Sequence, residues 1–163
     1  FLYNELYGRK DQEDAMESRD AKRVINKMLV YTFNRILNLE EKAIITEEFR
    51  DITNNDMHII EAIGVDEPKR MSDVARHLDI TVGSLTTSMN ALVKKQYVAR
   101  ERSEEDRRVV RVYLLEKGIA AFRHHERFHD AMTDALIAKL TEEQIDAWID
   151  TIDVLTDFFE SYN

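Results

Sequence analysis

The chain contains no cysteine among its 163 residues, which excludes disulfides, cysteine-ligated zinc and thiol nucleophiles in one step. Proline occurs once and glycine four times. Few positions can therefore interrupt a helix, and with 34% charged residues the composition favours a mainly helical protein. No apolar run approaches the roughly 18 residues that a bilayer span needs. The first residues also lack the basic-then-apolar pattern of a secretory signal, so the expected location is the cytoplasm, with no membrane partner. A hydrophobic content of 44% suffices for one sizeable core, either a single compact unit or one half of an obligate dimer.

Basic residues are scarce overall, 23 against 32 acidic, for a net charge of -9. That average argues against contact with phosphates, which relies on a local excess of Lys and Arg. The charge is segregated, however. Residues 1–20 hold three basic and six acidic side chains, and residues 141–163 hold seven acidic and no basic ones. Between Thr81 and Gly118 lie Lys94, Lys95, Arg100, Arg102, Arg107, Arg108, Arg111 and Lys117 against five acidic residues. This window, net +3, is the part that can face a polyanion.

Apolar residues at three- and four-residue intervals from Val24 to Leu39 predict a long first helix over residues 21–45. Thr53 with Asp56 three positions on reads as a capping box, followed by Met57, Ile60 and Ile63 until Gly64 stops the run. Pro68 lies in a charged loop. Ser72 is expected to cap a short helix holding Val74, Ala75 and Leu78 and ending near Asp79. After a tight turn another helix starts at Thr81 and runs to Lys95. Short helix, tight turn and longer helix form the layout of a DNA-binding helix-turn-helix. The period then changes to two, with Val110, Val112 and Leu114 alternating with Val109, Arg111 and Tyr113. The run Tyr97 to Arg102 pairs with it across Ser103 to Arg107, giving a two-stranded wing. Helical spacing returns after Gly118, and Thr141 with Gln144 caps a last helix whose stripe from Ile145 to Phe159 requires a partner surface.

On the helix from Thr81, Val82, Leu85, Met89 and Leu92 share one side. Gly83, Thr87, Asn90 and Lys94 share the other, flanked by Ser84 and Thr86. A small, polar, nearly uncharged face suits the major groove, where Asn bonds an adenine edge in two places, Ser or Thr contacts bases, and Gly83 allows close approach. Lys94 and Lys95 would reach phosphates. The bland alternative is a solvated surface helix; its place between a short capped helix and an arginine-tipped hairpin favours the first reading. In the wing, Arg102, Arg107 and Arg108 are the candidates for DNA contact, Arg107 or Arg108 entering a narrow minor groove. Asp106 would orient its neighbouring arginine rather than touch DNA, because phosphate repels a carboxylate.

The stretch from Leu85 to Gly118, with Asp106-Arg107-Arg108 leading into Val112-Tyr113-Leu114-Leu115-Glu116-Lys117-Gly118, resembles the MarR family of bacterial regulators. The runs Asp56 to Gly64, Thr81 to Thr87 and Arg102 to Val110 are most similar to its FabT-type fatty-acid-synthesis repressors. The resemblance implies a homodimer held by its terminal helices, a palindromic duplex operator, and long-chain acyl groups on acyl carrier protein as corepressor. It also places an effector pocket near His58. Two departures stand out: Leu115-Glu116 where the family has Leu-Thr, and Gln96 where it has a glycine after the recognition helix. Residues 1–20 match nothing in it.

His125-Glu126-Arg127-Phe128-His129 reproduces H-E-x-x-H, which on a helix can place two histidines around zinc with the glutamate as general base. A zinc protease also needs a third ligand and a cleft; the chain downstream offers only acidic candidates such as Glu142, Glu143 and Asp146. Packed or surface histidines are the simpler reading, with His125 and His129 left as weak metal candidates. Phe33, Met57, His58, Phe122, Phe128 and Met132 could line an apolar slot for an acyl chain, or belong to ordinary core.

The expected architecture is mainly α with a small β-hairpin wing. Residues 1–45 form an N-terminal dimerisation segment, with 1–20 unplaced; residues 46–118 form a winged helix-turn-helix; and residues 119–163 supply C-terminal dimerisation helices. The expected function is a non-enzymatic, cofactor-free DNA-binding repressor of fatty-acid-synthesis genes. The alternatives are a MarR-type regulator answering to another small molecule or to zinc, a metallohydrolase using the H-E-x-x-H pattern, and a helical adaptor with no DNA role.

Overall fold

The computed structural model describes residues 19–44, 46–103 and 106–161. Residues 1–18 and the Glu104-Glu105 pair of the wing tip lie outside them. Helix α1 covers residues 19–44, continuous through a π-helical stretch at Met28–Thr32 and regular from Phe33 to Ile44. A single widened turn inside a long helix is the usual form of π geometry. The helix also begins two residues before the expected 21–45 span.

Helix α2, Asn54–Ile63, begins where expected. The Thr53 hydroxyl accepts from the Asp56 backbone N–H, and Asp56 accepts from the Thr53 N–H, a reciprocal capping box. It ends at Gly64, whose φ of 69° falls in the region that only glycine enters without strain. Two details differ from the sequence reading next. Lys69–Arg70 form a short strand β1, and helix α3, Met71–His77, starts one residue before Ser72. Ser72 therefore lies exposed inside the first turn and caps nothing. Helix α4, Val82–Lys94, is capped by the Thr81 hydroxyl, which accepts from the Ser84 N–H.

Strands β2, Val98–Arg102, and β3, Val110–Leu114, pair antiparallel with Val98 opposite Leu114 and Arg102 opposite Val110. β1 pairs on the far side of β3, Lys69 opposite Val112, so the order is β1-β3-β2. The wing is thus a three-stranded sheet and not a lone hairpin. A two-residue strand has too little periodicity to be read from sequence. Helices α5, Glu116–Ile137, and α6, Glu142–Glu160, follow, the latter with the expected Thr141–Gln144 capping box. α5 starts two residues before Gly118, which lies inside its first turn. A Cβ there would stand 2.2 Å from the Tyr97 carbonyl oxygen, so the helix packs against the backbone leading into β2 only because the side chain is missing.

The apolar core runs from Ile44 to Ala121: Ile44, Phe49, Met57, Ile60 and Ile63 from the first half meet Val74, Leu85, Met89, Leu92, Tyr97 and Val112. Full burial of each such side chain contributes roughly 1.5–3 kcal/mol. Among the described residues outside that interval, only Glu40 and His125 are buried. The terminal helices instead expose apolar side chains, Val24, Val30 and Leu37 on α1 and Trp148, Ile149, Ile152 and Val154 on α6, all more than two-fifths exposed. No helix among the described residues is long and apolar enough to cross a membrane.

Candidate nucleic-acid interface

Three elements position the candidate surface: α3 supports α4 from behind, and the sheet stands beside it. The turn between the helices passes through Asp79 at φ 52° and closes with Ile80 N–H donating to the Ala75 carbonyl. Leu85, Met89 and Leu92 are fully buried beneath α4. Gly83, Ser84, Thr87, Asn90 and Lys94 are exposed on its outer side, so the helical wheel sorts these eight residues as they stand. Val82 is the exception, 46% exposed where the wheel put it inward. It faces a cavity of about 380 Å³ that separates α4 from the wing, lined also by Arg70, Thr86, Arg100 and Arg108.

The exposed polar groups are not equally free. The Ser84 hydroxyl is 2.9 Å from that of the capping Thr81, and Thr86, half-buried, donates to the Val82 carbonyl at 2.7 Å. The side chains of Thr87, Asn90 and Lys94 make no hydrogen bond or ion pair to another described residue. Lys95, expected to reach phosphate, lies 3.1 Å from Asp56 Oδ2, and this carboxylate is the one that caps α2. The pair ties the end of α4 to the start of α2.

At the wing, Arg108 donates through Nε and a terminal nitrogen to both oxygens of Asp106, at 3.1 and 3.2 Å, while its backbone N–H donates to Oδ1. The carboxyl of Asp106 is held below its ordinary value by these bonds, the side-chain one foremost. Asp106 therefore holds the guanidinium of a side chain that is itself 92% exposed. Arg102 and Arg107 are exposed as well.

The junction between α4, the sheet and α5 is braced by Tyr97. Its buried hydroxyl donates to Asp51 Oδ1 at 2.6 Å, and Lys117 bonds Oδ2 at 2.9 Å while lying 4.2 Å from the ring centre. The Tyr97 bond, opposed by partial desolvation and aided by Lys117, lowers the Asp51 carboxyl from its ordinary value. Burial raises the Tyr97 phenol, and the Asp51 charge adds to that. Gln96, just before it, adopts φ 62°. This is the position where the resemblance expects glycine, and the left-handed conformation explains why.

The six residues proposed for an acyl slot do not converge. His58 and Phe122 line a cavity of about 410 Å³ with Glu61, Ala62, His77 and Leu78. Met57 is core, Phe33 is 45% exposed on α1, and Phe128 and Met132 lie half-buried along α5. The histidines of the H-E-x-x-H pattern do meet, with Nε2 atoms 3.0 Å apart. Glu126 does not join them: Arg123 holds it at 2.7 Å, both half-exposed. The carboxylates beside the histidines come instead from Glu40 on α1 and Glu61 on α2. Sequence reading passed over both, although Glu40 stands four residues from Ile36 and from Ile44, a charge within an apolar stripe.

The MarR family model matches residues 52–110 of this chain, from before α2 to the start of β3. The structure is similar to that of Streptococcus pneumoniae FabT in complex with DNA, with 38% identity and a TM-score of 0.83 over 87% of this chain and 99% of that one. An uncharacterised HTH-type transcriptional regulator of Bacillus subtilis, YpoP, is 30% identical over 57% of this chain and 72% of its own length. The MarR family transcription regulator SP03579 shares the fold at 14% identity, with a TM-score of 0.76 over 91% of this chain and 95% of that one.

Proposed function

This chain belongs to the MarR family of DNA-binding transcription regulators, and on that premise we propose that it acts as a homodimeric repressor of fatty-acid-synthesis genes, with long-chain acyl-acyl carrier protein as corepressor. Residues 46–118 serve as the reading unit, and α1, α5 and α6 hold two such units together. The observation that carries the reading is the outer face of α4. Thr87 and Asn90 stand exposed without partners among the described residues, beside an arginine that Asp106 holds outward. In the major groove Asn90 and Thr87 read base edges, Gly83 lets the helix approach, and Ser84 and Thr86 flank them. Lys94 lies toward a phosphate, with Lys95 behind it on Asp56. The wing sends Arg107 or Arg108 into the adjoining minor groove, and Arg102 lies nearer its base.

Dimerisation follows from the apolar side chains left outside on α1 and α6. Exposed patches of that extent mark interaction surfaces. A two-fold pair then presents two α4 helices to half-sites about one helical turn apart, which implies a palindromic operator. The corepressor assignment rests on the likeness to FabT and on the cavity beside His58 and Phe122. An effector acts only as far as its affinity differs between the two spacings of the reading helices.

Selection of bound duplexes from a random pool, followed by gel shift with and without acylated carrier protein, tests both parts. A palindromic consensus bound more tightly when acyl-acyl carrier protein is added is the expected result. Duplex binding that the acylated carrier leaves unchanged would remove the fatty-acid role and keep the regulator.

A further inference from the structure

Glu40 of α1 and His125 and His129 of α5 converge on one point, with Glu61 of α2 in contact with His125. His125 is 1% exposed; its Nε2 lies 3.0 Å from His129 Nε2 and 3.4 Å from both Glu40 Oε1 and Glu61 Oε1. Glu40, also buried, places the same Oε1 atom 3.5 Å from His129 Nε2. Glu40, His125 and His129 offer three ligand atoms within 4.8 Å of one another.

Burial of an acid and an imidazole has a cost that ordinary packing does not explain. Outside the interval of the apolar core these two are the buried residues among those described, and the Nδ1 of His125 finds no partner among the described residues. A carboxylate removed from water is destabilising unless a cation or good hydrogen bonds compensate it. The spacing separates those two possibilities. Hydrogen bonds to carboxylates close to about 2.7–2.9 Å, and all three contacts between the Nε2 atoms and carboxylates are 3.4–3.5 Å. Ligands at about 2.0–2.1 Å in a tetrahedron around one ion stand roughly 3.3–3.4 Å apart. The observed separations cluster near that value.

We propose that Glu40, His125 and His129, with Glu61 as the fourth ligand, bind one divalent cation of the zinc class. Two imidazoles and two carboxylates suit a borderline cation, and neither a hard oxygen-only ion nor a thiophilic one. The H-E-x-x-H pattern then supplies ligands without a general base, since Glu126 is turned to Arg123. The ion acts as a clasp: it joins α1 and α5, whose apolar faces are exposed, to α2, which leads into the reading unit. The site follows from these four side chains whatever effector the cavity beside His58 receives.

The test uses the full chain stripped by a chelator and titrated with Zn²⁺ against a chromophoric competitor, with Co²⁺ absorption reporting geometry. One Zn²⁺ per chain, a tetrahedral Co²⁺ spectrum and a zinc-dependent rise in melting temperature are expected. His129 is 38% exposed at its side chain, so His129→Gln keeps the fold, checked by circular dichroism, and lowers zinc affinity roughly 100-fold or more. Glu126→Gln leaves the affinity unchanged. Absence of stoichiometric zinc, or zinc binding that His129→Gln does not weaken while Glu126→Gln does, would overturn the assignment.

Discussion

The span from Ile44 to Ala121 and the helices that flank it follow opposite rules. The central span buries its apolar side chains on itself, with Met57, Ile60, Leu85, Met89 and Leu92 all fully enclosed. The flanking helices bury almost nothing apolar. α6 has no buried residue along nineteen, and exposes Trp148, Ile149 and Ile152. The lesson concerns where stability comes from. The central span is packed on itself, whereas α1 and α6 leave apolar side chains exposed, and most helical stability in proteins comes from packing of an amphipathic face. A groove of about 550 Å³ between the end of α5 and α6, lined by Leu136, Ile137, Trp148 and Ile152, marks where that surface is apolar.

The largest effect expected within the central span is that of Gly118→Ala. The new Cβ would meet the Tyr97 carbonyl at 2.2 Å, and backbone cannot yield as a side chain can. A loss of about 3 kcal/mol is expected in urea unfolding, near the upper end of overpacking costs. An unchanged midpoint would show that the seam between Tyr97 and α5 is looser than its geometry.

On the flanks, Ile152→Asp places a charge on the face of α6 and is expected to shift sedimentation from dimer to monomer. Affinity for a two-half-site duplex should fall roughly 100-fold, because two linked sites bind far better than one. The secondary structure of the central span should persist. Its collapse on dissociation would break the contrast between the two regions, since stability would then be inseparable from assembly.

A smaller effect of opposite sign is expected at Gln96, held at φ 62°. A left-handed conformation costs a residue with a Cβ roughly 1–2 kcal/mol. Gln96→Gly should therefore raise stability by about 1 kcal/mol in the same urea measurement, after the added chain entropy of glycine is offset. A loss would mean that the Gln96 side chain carries contacts that outweigh the strain.

The smallest effect is a dependence on pH. Asp51 titrates below its ordinary 3.8 in the folded chain, chiefly because Tyr97 donates to it. Its contribution to stability is complete above that unfolded value and disappears as pH falls through the lower folded one. Asp51→Asn should flatten the acid limb of a stability profile below about pH 5 and leave the alkaline side alone. Because the carboxylate is 41% exposed, solvent screening keeps the change modest. An acid limb identical in both proteins would contradict the Tyr97 bond.

Much of the central span was legible from residues alone because its signals are local. A capping box spans four residues, an exposed polar face repeats every turn, and the Asp106–Arg108 contact joins near neighbours. Val82 was misplaced because a helical wheel gives direction along a helix, without saying whether the core or a groove lies there. β1 was missed because two residues carry no period, and Ser72 was misread because a capping residue type one position late looks the same in sequence. The histidine cluster was half legible: His125 and His129 share a helix, whereas Glu40 and Glu61 come from two others and only folding brings them in. The proposed acyl slot failed to assemble for the converse reason, since apolar residues at helical spacing do not reveal which of them share a cavity.

The reading of DNA by α4 is tested most directly by comparing the intact chain with Asn90→Ala for binding to a selected operator and to a scrambled duplex across a range of salt. A bidentate side chain to a base is worth roughly 1–3 kcal/mol of discrimination, so the ratio of the two affinities should fall about tenfold, while the slope against salt, set by phosphates, stays the same. An unchanged ratio would contradict the assignment of that helix face to the major groove.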